Sequence, residues 1–313
     1  MPQQPAAEYI RSGQIPFFRL PSRPRAPPAG AGAVIAGVPF DLGATHAPGA
    51  RFAPWEVRRV SAFLQGFHPV HGVDVFAALD AVDGGNVVFP PFSPGAMREA
   101  VEAHVAGVAA AGALPALVGG DHSLTLPALR ALARRHGPLA VVHVDAHLDT
   151  SGPELWGEPF HHGTPFRHAL EEGLVARGAL FQVGMRGPWG SAADAEPTLG
   201  HDGRVFPVEE VAERGAAAVG AELRRALGDR PFYLSFDVDA LDPAHAPGTG
   251  TPVPGGLTAR EAFALLRALA GAAPCGMDVV EVCPARDVQD ATSTLAAHVL
   301  YEGLALAALA SRR

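Results

Sequence analysis

The sequence predicts a three-layer α/β/α fold with a mainly parallel sheet of about eight strands. Two observations lead there. Apolar runs of strand length alternate with helical patterns along most of the chain. Those runs are apolar without interruption, as strands covered on both faces are. No linker divides the 313 residues and no internal repeat appears, so residues 31–313 are expected to form a single domain behind an extended arm, residues 1–30.

The elements follow in order. Residues 1–30 are rich in Pro, Gln and Ala without sustained periodicity. Such an arm either lies across a neighbouring subunit or is disordered. Ala33–Val38 reads as a strand, and a helix begins in Pro54–Leu64. Ser93 before Pro94 reads as an N-cap with proline in the first turn, opening a helix to about Ala111. Leu114–Val118 is a strand, Leu124–His136 a helix and Leu139–Val144 a strand. A long loop and a short helix near 165–173 precede the strands Ala179–Gly184 and Arg204–Pro207. Val208, Val211, Gly215, Val219, Leu223 and Leu227 keep helical spacing. Phe232–Phe236 is a strand, Thr258 and Glu261 form a capping box for a helix to Ala270, Met277–Val280 is the last strand, and an apolar helix runs from about Ala291 to Ala310.

Composition narrows the function. A formal charge of −8 without a basic run argues against a nucleic-acid surface. No apolar run approaches the ~18 residues of a membrane span, and the N-terminus lacks signal-peptide regions. Cys275 and Cys283 flank the last strand and read as reduced thiols rather than a disulfide framework. Cytoplasmic localisation is the resulting expectation.

Four short stretches carry the chemistry. They are Gly119-Gly120-Asp121-His122-Ser123, Asp145-Ala146-His147-Leu148-Asp149, Ser235-Phe236-Asp237-Val238-Asp239 and Glu281-Val282-Cys283-Pro284, each following an apolar run. Ligands of open α/β sheets gather outside the carboxyl ends of the strands. If the backbone stays extended past Val144, Asp145, His147 and Asp149 point the same way, and Asp237 and Asp239 repeat the pattern. An isolated D-x-H or D-x-D is ordinarily a turn or a cap. Three such elements at three strand ends instead predict a metal site with His122, Asp145, His147, Asp149, Asp237 and Asp239 as donors. Carboxylate and imidazole without thiolate suit Mn²⁺, with Co²⁺ and Ni²⁺ permitted. Six donors suit two ions, whose effect is to lower the pKa of a shared water.

In order and spacing, G-G-D-H-S, D-A-H-L-D and S-F-D-V-D-A-L-D-P resemble the ureohydrolase family of arginases, agmatinases and related amidinohydrolases. Gly37-Val38-Pro39-Phe40-Asp41 and Pro48-Gly49-Ala50-Arg51-Phe52 belong to the same resemblance, which runs from about Gly37 to Glu302. It implies an arginase-like fold, two Mn²⁺ per subunit and a homo-oligomer, commonly a trimer or hexamer. It implies that His122, Asp145, Asp149 and Asp237 hold one ion and Asp145, His147, Asp237 and Asp239 the other, with Asp145 and Asp237 bridging. It implies further that Glu281 pairs with the substrate guanidinium, that Asp149 carries a proton to the leaving amine, and that His162 shuttles protons with solvent. His161 is adjacent and open to confusion with it.

Three local stretches are more similar to agmatinases and guanidino-acid hydrolases than to arginases: Ala246–Pro252, His162–Ala169 and Gly184–Gly187. Thr150–Phe160 lacks the Asn/Ser-rich stretch arginases use around an α-amino acid, which disfavours arginine. Two departures stand out: Ala47 lies where relatives commonly carry Arg, a lost cation that bears on a substrate carboxylate or on nothing, and Arg286 lies where an aromatic is common, which speaks against routine agmatine specificity. The expected reaction is cleavage of a small cationic, agmatine-type guanidine to urea plus an amine. Guanidinobutyrate or guanidinopropionate hydrolysis, and a non-catalytic metal-binding paralogue, stand as alternatives. The dense Asp/His pattern and Glu281 favour guanidine over deacetylase chemistry.

Overall fold

The apolar runs become the strands of one parallel sheet in a computed structural model, which describes residues 3, 15–24 and 30–311. Strand β1 is Ala33–Gly37. A small hairpin, β2 (Phe67–His68) and β3 (Val73–Asp74), precedes β4 (Val82–Asn86), β5 (Leu114–Val118) and β6 (Leu139–Val144). Then come β7 (Val175–Met185), β8 (Arg204–Pro207), β9 (Phe232–Asp237) and β10 (Pro274–Val280). The eight strands of the main sheet run in the order β4-β1-β5-β10-β9-β6-β7-β8, every neighbouring pair parallel.

The helices are α1 (Ala53–Ser61), α2 (Val75–Leu79), α3 (Pro94–Ala110), α4 (Thr125–His136) and α5 (Pro165–Glu171), followed by α6 (Glu196–Gly200), α7 (Val208–Arg214), α8 (Ala216–Leu227), α9 (Ala259–Arg267) and α10 (Ala291–Ala310). Two apolar cores flank the sheet. One takes Val57, Val219, Leu265 and Leu300 from α1, α8, α9 and α10; the other takes Val101, Leu129 and Phe166 from α3, α4 and α5. Period-two alternation feeds both: on β6, Ala140, Val142 and Val144 face the first core, Leu139 and Val141 the second. That is why its strands read as unbroken apolar runs.

Three differences from the sequence reading have physical causes. The edge strand β4 is Val-Asp-Gly-Gly-Asn, which carries no apolar signature. It pairs through Gly84, whose approach to Val34 leaves 2.7 Å for a Cβ, and through polar contacts of Asp83. The pattern over 208–227 is two helices, because Gly215 at φ 86° breaks it. Helix α10 is, by length and composition, apolar enough to span a bilayer. Its apolar residues are instead buried against α1, α2, α9 and β10 as part of the core. The predicted capping box is present at Thr258 and Glu261, and Ser93 caps α3.

Residues 15–24 pack against their own domain. Phe17, Phe18 and Leu20 are fully buried. Asp83 ties them down: it accepts from Phe17 N–H at 2.8 Å, from Gly85 N–H at 2.7 Å, and from the Arg58 guanidinium at 2.9 and 3.2 Å. Arg58 also lies 4.1 Å over the Phe17 ring. The remainder of the stretch read as an arm, apart from residues 3 and 30, lies outside the described residues. Asp83→Ala leaves a largely buried guanidinium without its carboxylate and two N–H groups unpaired. It should cost about 3 kcal/mol and lower the melting temperature by several degrees. Thermal unfolding checks this, and an unchanged midpoint would refute the tie.

Candidate metal centre

The sheet order puts the four informative strand ends side by side. β5, β10, β9 and β6 are consecutive neighbours, and they deliver His122, Glu281, Asp237 with Asp239, and Asp145 with His147 and Asp149. Residues far apart in the chain thus converge on one sheet edge.

The backbone reaches that edge by turning, not by staying extended as the spacing suggested. Strand β6 ends at Val144 and bends through 145–147; Val238–Ala240 is a single 3₁₀ turn. At three strand ends an aspartate accepts the N–H two residues on. Asp121 takes Ser123 N–H at 3.0 Å, Asp145 takes His147 N–H at 2.6 Å, and Asp237 takes Asp239 N–H at 2.8 Å. These Asx turns replace the strand ladder with a side-chain acceptor. Gly120 permits the first: a Cβ there would sit 1.7 Å from Phe40 O.

All six predicted donors gather. His122 Nδ1 lies 2.9 Å from Asp149 Oδ2, 3.2 Å from Asp145 Oδ2 and 3.5 Å from Asp237 Oδ2. His147 Nδ1 lies 3.0 Å from Asp239 Oδ2 and 3.5 Å from Asp145 Oδ1. Donor atoms that could hold a metal form two groups sharing Asp145. One contains His122, His143, Asp145 and Asp149; the other, Asp145, His147 and Asp239.

The partners decide the tautomers. Ser235 Oγ donates to Asp278 at 2.7 Å, so it accepts from His122 Nε2–H at 2.8 Å. Asp278 is fully buried and also accepts from Thr125 Oγ at 2.6 Å and Tyr233 OH at 2.8 Å. In the neutral ring His122 Nδ1 then turns a lone pair toward three carboxylate oxygens; with no cation between them, burial opposes a proton there but Asp145, Asp149 and Asp237 outweigh it and hold the imidazole well above its usual range. Nδ1 is buried and makes no hydrogen bond in suitable geometry. Lone pairs facing one another at this range fit an intervening cation. His143 is different. Gln182, its amide fixed by Leu148 O and Thr198, donates to Nδ1, so Nε2–H donates to Asp145 at 2.7 Å. His143 orients a donor and is not one.

The electrostatics agree. Burial, with Asp239 and Asp145 alongside, pushes the Asp237 carboxyl well above its usual range. Burial opposes the charge of His147, yet Asp239 and Asp145 outweigh it and carry the imidazole to about 12. The protein's own groups leave a surplus of negative charge at the site.

Glu281 and His162 stand beside this cluster. Glu281 Oε1 accepts from His122 N–H at 2.8 Å and meets His162 Nδ1 at 2.9 Å; no described residue bonds Oε2. His162 Nε2 lies 2.8 Å from Thr45 Oγ1. His161 instead accepts from Gly163 N–H at 3.1 Å, turning its ring into its own loop, so the two histidines are distinct. Asp149 and Glu281 hold φ of 51° and 65°, the left-handed region that side-chain-bearing residues avoid. Asp121 is not at the cluster: it accepts from Gly43 N–H at 2.7 Å and fastens the 41–45 loop, and burial with Glu281 nearby pushes its carboxyl up to about 6.

A cleft of about 790 Å³ opens over the cluster, walled by Leu155, Trp156, Trp189, Glu154, Thr251 and His147. Arg186 on its wall donates to six backbone carbonyls, those of Gly184, Asp239, Ala240, Leu241, Val253 and Pro254. Sequence reading missed Ser235, Asp278, Gln182, Thr45 and Arg186. Asp278 carried a usable signal, as a carboxylate in the middle of a buried strand must have partners.

The comparisons with known proteins agree with this geometry. The Arginase family model matches residues 31–305. Proclavaminate amidinohydrolase of Streptomyces clavuligerus is 43% identical over 297 residues, 93% of this chain and 94% of that protein. Its solved structure superposes with a TM-score of 0.88 at 42% identity, covering 95% of this chain and 98% of the other. Guanidinopropionase of Pseudomonas aeruginosa is 44% identical over 312 residues, 98% and 96% of the two chains. Mitochondrial agmatinase of Gallus gallus is 39% identical over 303 residues, 96% and 88%. A family match across nearly all of the domain and relatives aligned over most of their length carry one conclusion: the chain belongs to the arginase family.

Proposed function

We propose that this arginase-family hydrolase cleaves a linear guanidine of agmatine type to urea plus an amine, using two divalent metal ions, Mn²⁺ in the first instance. The observation that carries the reading is the pair of donor groups sharing Asp145, with Glu281 and His162 alongside. His122, Asp145, Asp149 and Asp237 would hold one ion, and Asp145, His147, Asp237 and Asp239 the other. Such a pair supplies an acidified water at neutral pH.

The chain's own residues do the rest. A guanidinium is a poor electrophile because its charge is spread over three nitrogens. Glu281 Oε2 takes its N–H groups and fixes the carbon in place. Water adds to that carbon, one C–N bond breaks, and Asp149 passes the departing amine a proton. His162, between Glu281 and the cleft, exchanges protons with solvent; histidine suits this because its two ring nitrogens can both give and take a proton.

The cleft supports a cationic tail. Arg186 is spent on backbone carbonyls and Arg167 is paired with Glu171 at 2.8 Å, whereas Glu154 is exposed on the wall. Hydrolysis of a guanidino acid is the second reading, favoured by the 44% identity to guanidinopropionase. The free thiols Cys275 and Cys283 agree with a reducing compartment such as the cytoplasm. A homo-oligomer, trimer or hexamer, would cover exposed aromatics such as Trp55 and Phe92.

A urea assay on metal-loaded protein across agmatine, arginine, guanidinobutyrate and guanidinopropionate tests the reading. Agmatine should give the highest kcat/KM, and Glu154→Gln should lower it about two- to fivefold. Preference for an acid would select the second reading, and silence on every compound with two metals bound would select a non-catalytic protein. Asp237→Asn should lose metal content and activity together; two bound metals with full activity would defeat the ligand assignment. Ser235→Ala removes the acceptor that sets the His122 tautomer and should weaken metal affinity about 10- to 100-fold, as read by competition with a chelator.

A further inference from the structure

We propose that Thr45 is the positioning residue for His162, offering a different atom to each protonation state of the imidazole so that the ring keeps one orientation while protons come and go. The proposal rests on the reading that His162 moves protons for the reaction.

Two atoms of Thr45 converge on the same ring nitrogen. Its backbone N–H lies 3.2 Å from His162 Nε2, and its Oγ1 lies 2.8 Å from it. On the opposite side Nδ1 faces Glu281 Oε1 at 2.9 Å. In the neutral ring Nδ1–H donates to Glu281, and the Nε2 lone pair accepts from the Thr45 N–H. In the imidazolium Nδ1–H still donates to Glu281, and Nε2–H now donates to Thr45 Oγ1. A hydroxyl rotates to accept or donate as needed. Neither state requires the ring to flip. A lone acceptor would release the neutral ring, and a lone donor would repel the charged one.

The loop that carries Thr45 is held in register with the ring. His162 N–H donates to Gly43 O at 3.1 Å, and Gly43 N–H donates to Asp121 at 2.7 Å. A Cβ on Gly43 would lie 3.0 Å from that carboxylate, so a side chain at this position would press on the loop. Thr45 and His162 both line the cleft, where a proton can reach solvent.

The charged groups around the ring set the balance between the two states. Burial opposes the charged form, but Glu281, Asp149 and Asp121 outweigh it and carry the imidazole up to about 9. Burial lowers the neighbouring His161 imidazole, and the charge of His162 lowers it further. The charged form is the state that needs the Oγ1 acceptor.

Thr45→Val keeps the shape and the N–H and removes the acceptor; Thr45→Ser keeps both. Two readouts apply to the metal-loaded proteins. One is kcat and KM for urea release against pH. The other is the pH midpoint of His162 carbethoxylation, followed by peptide mass spectrometry, which reports the neutral ring without turnover. In Thr45→Val the midpoint should fall by about one pH unit, and kcat should drop about tenfold with KM nearly unchanged. Thr45→Ser should restore both. The proposal is overturned by an unmoved midpoint in Thr45→Val, by Thr45→Ser being as impaired as Thr45→Val, or by losses that track melting temperature and metal content. If the wild type releases urea from no guanidine, the functional reading falls, while the midpoint still decides the role of Thr45.

Discussion

Four aspartates meet two imidazoles at the buried end of four adjacent strands, and the rest of the structure is arranged around making that tolerable. An isolated buried carboxylate costs several kcal/mol. Three of the four are given local donors: the Asx turns at Asp145 and Asp237, the Ala146 N–H to Asp239 at 3.1 Å, the His143 ring to Asp145. The parallel sheet is what brings them together, since its strands all end on one side and four central neighbours include the three that carry the donors, β5, β9 and β6, with β10 carrying Glu281 between them. Cations complete a balance that the protein's own groups leave on the negative side.

Much of this was legible in the sequence, for identifiable reasons. β1, β5, β6 and β9 were visible because both faces are buried and most of their residues are apolar. β4 was invisible because Asp83 and two glycines hold it by hydrogen bonds and close approach, which leave no periodic trace. The break at Gly215 was hidden because the apolar spacing carries on through it. At the site, all six expected donors converge, although through turns that strand spacing did not anticipate. His143, two positions from Asp145 on the same strand, was legible as a supporting residue and not a ligand, whereas Ser235 escaped because its partner His122 is 113 positions away. A one-dimensional pattern records which residues carry chemistry. It does not record which distant side chain fixes a tautomer.

The strained positions follow the same logic. Asp149 and Glu281 hold left-handed backbone at a cost of order 1–3 kcal/mol each. Glu281 directly follows β10, and Asp149 lies further on, in the loop past β6. The surrounding bonds over-determine them: Glu281 N–H is held by Gly120 O at 3.0 Å, and Asp149 O by Phe166 N–H at 3.1 Å.

Arg186 has a wider consequence. By gathering six carbonyls from β7, the turn after β9 and the 253–254 segment, one guanidinium makes the floor of the cleft a single rigid piece that owes nothing to the bound molecule. The segment 150–160 overhead shares none of those bonds. Substitutions in that segment can therefore redraw the outline of the cleft without loosening the pieces that Arg186 ties together.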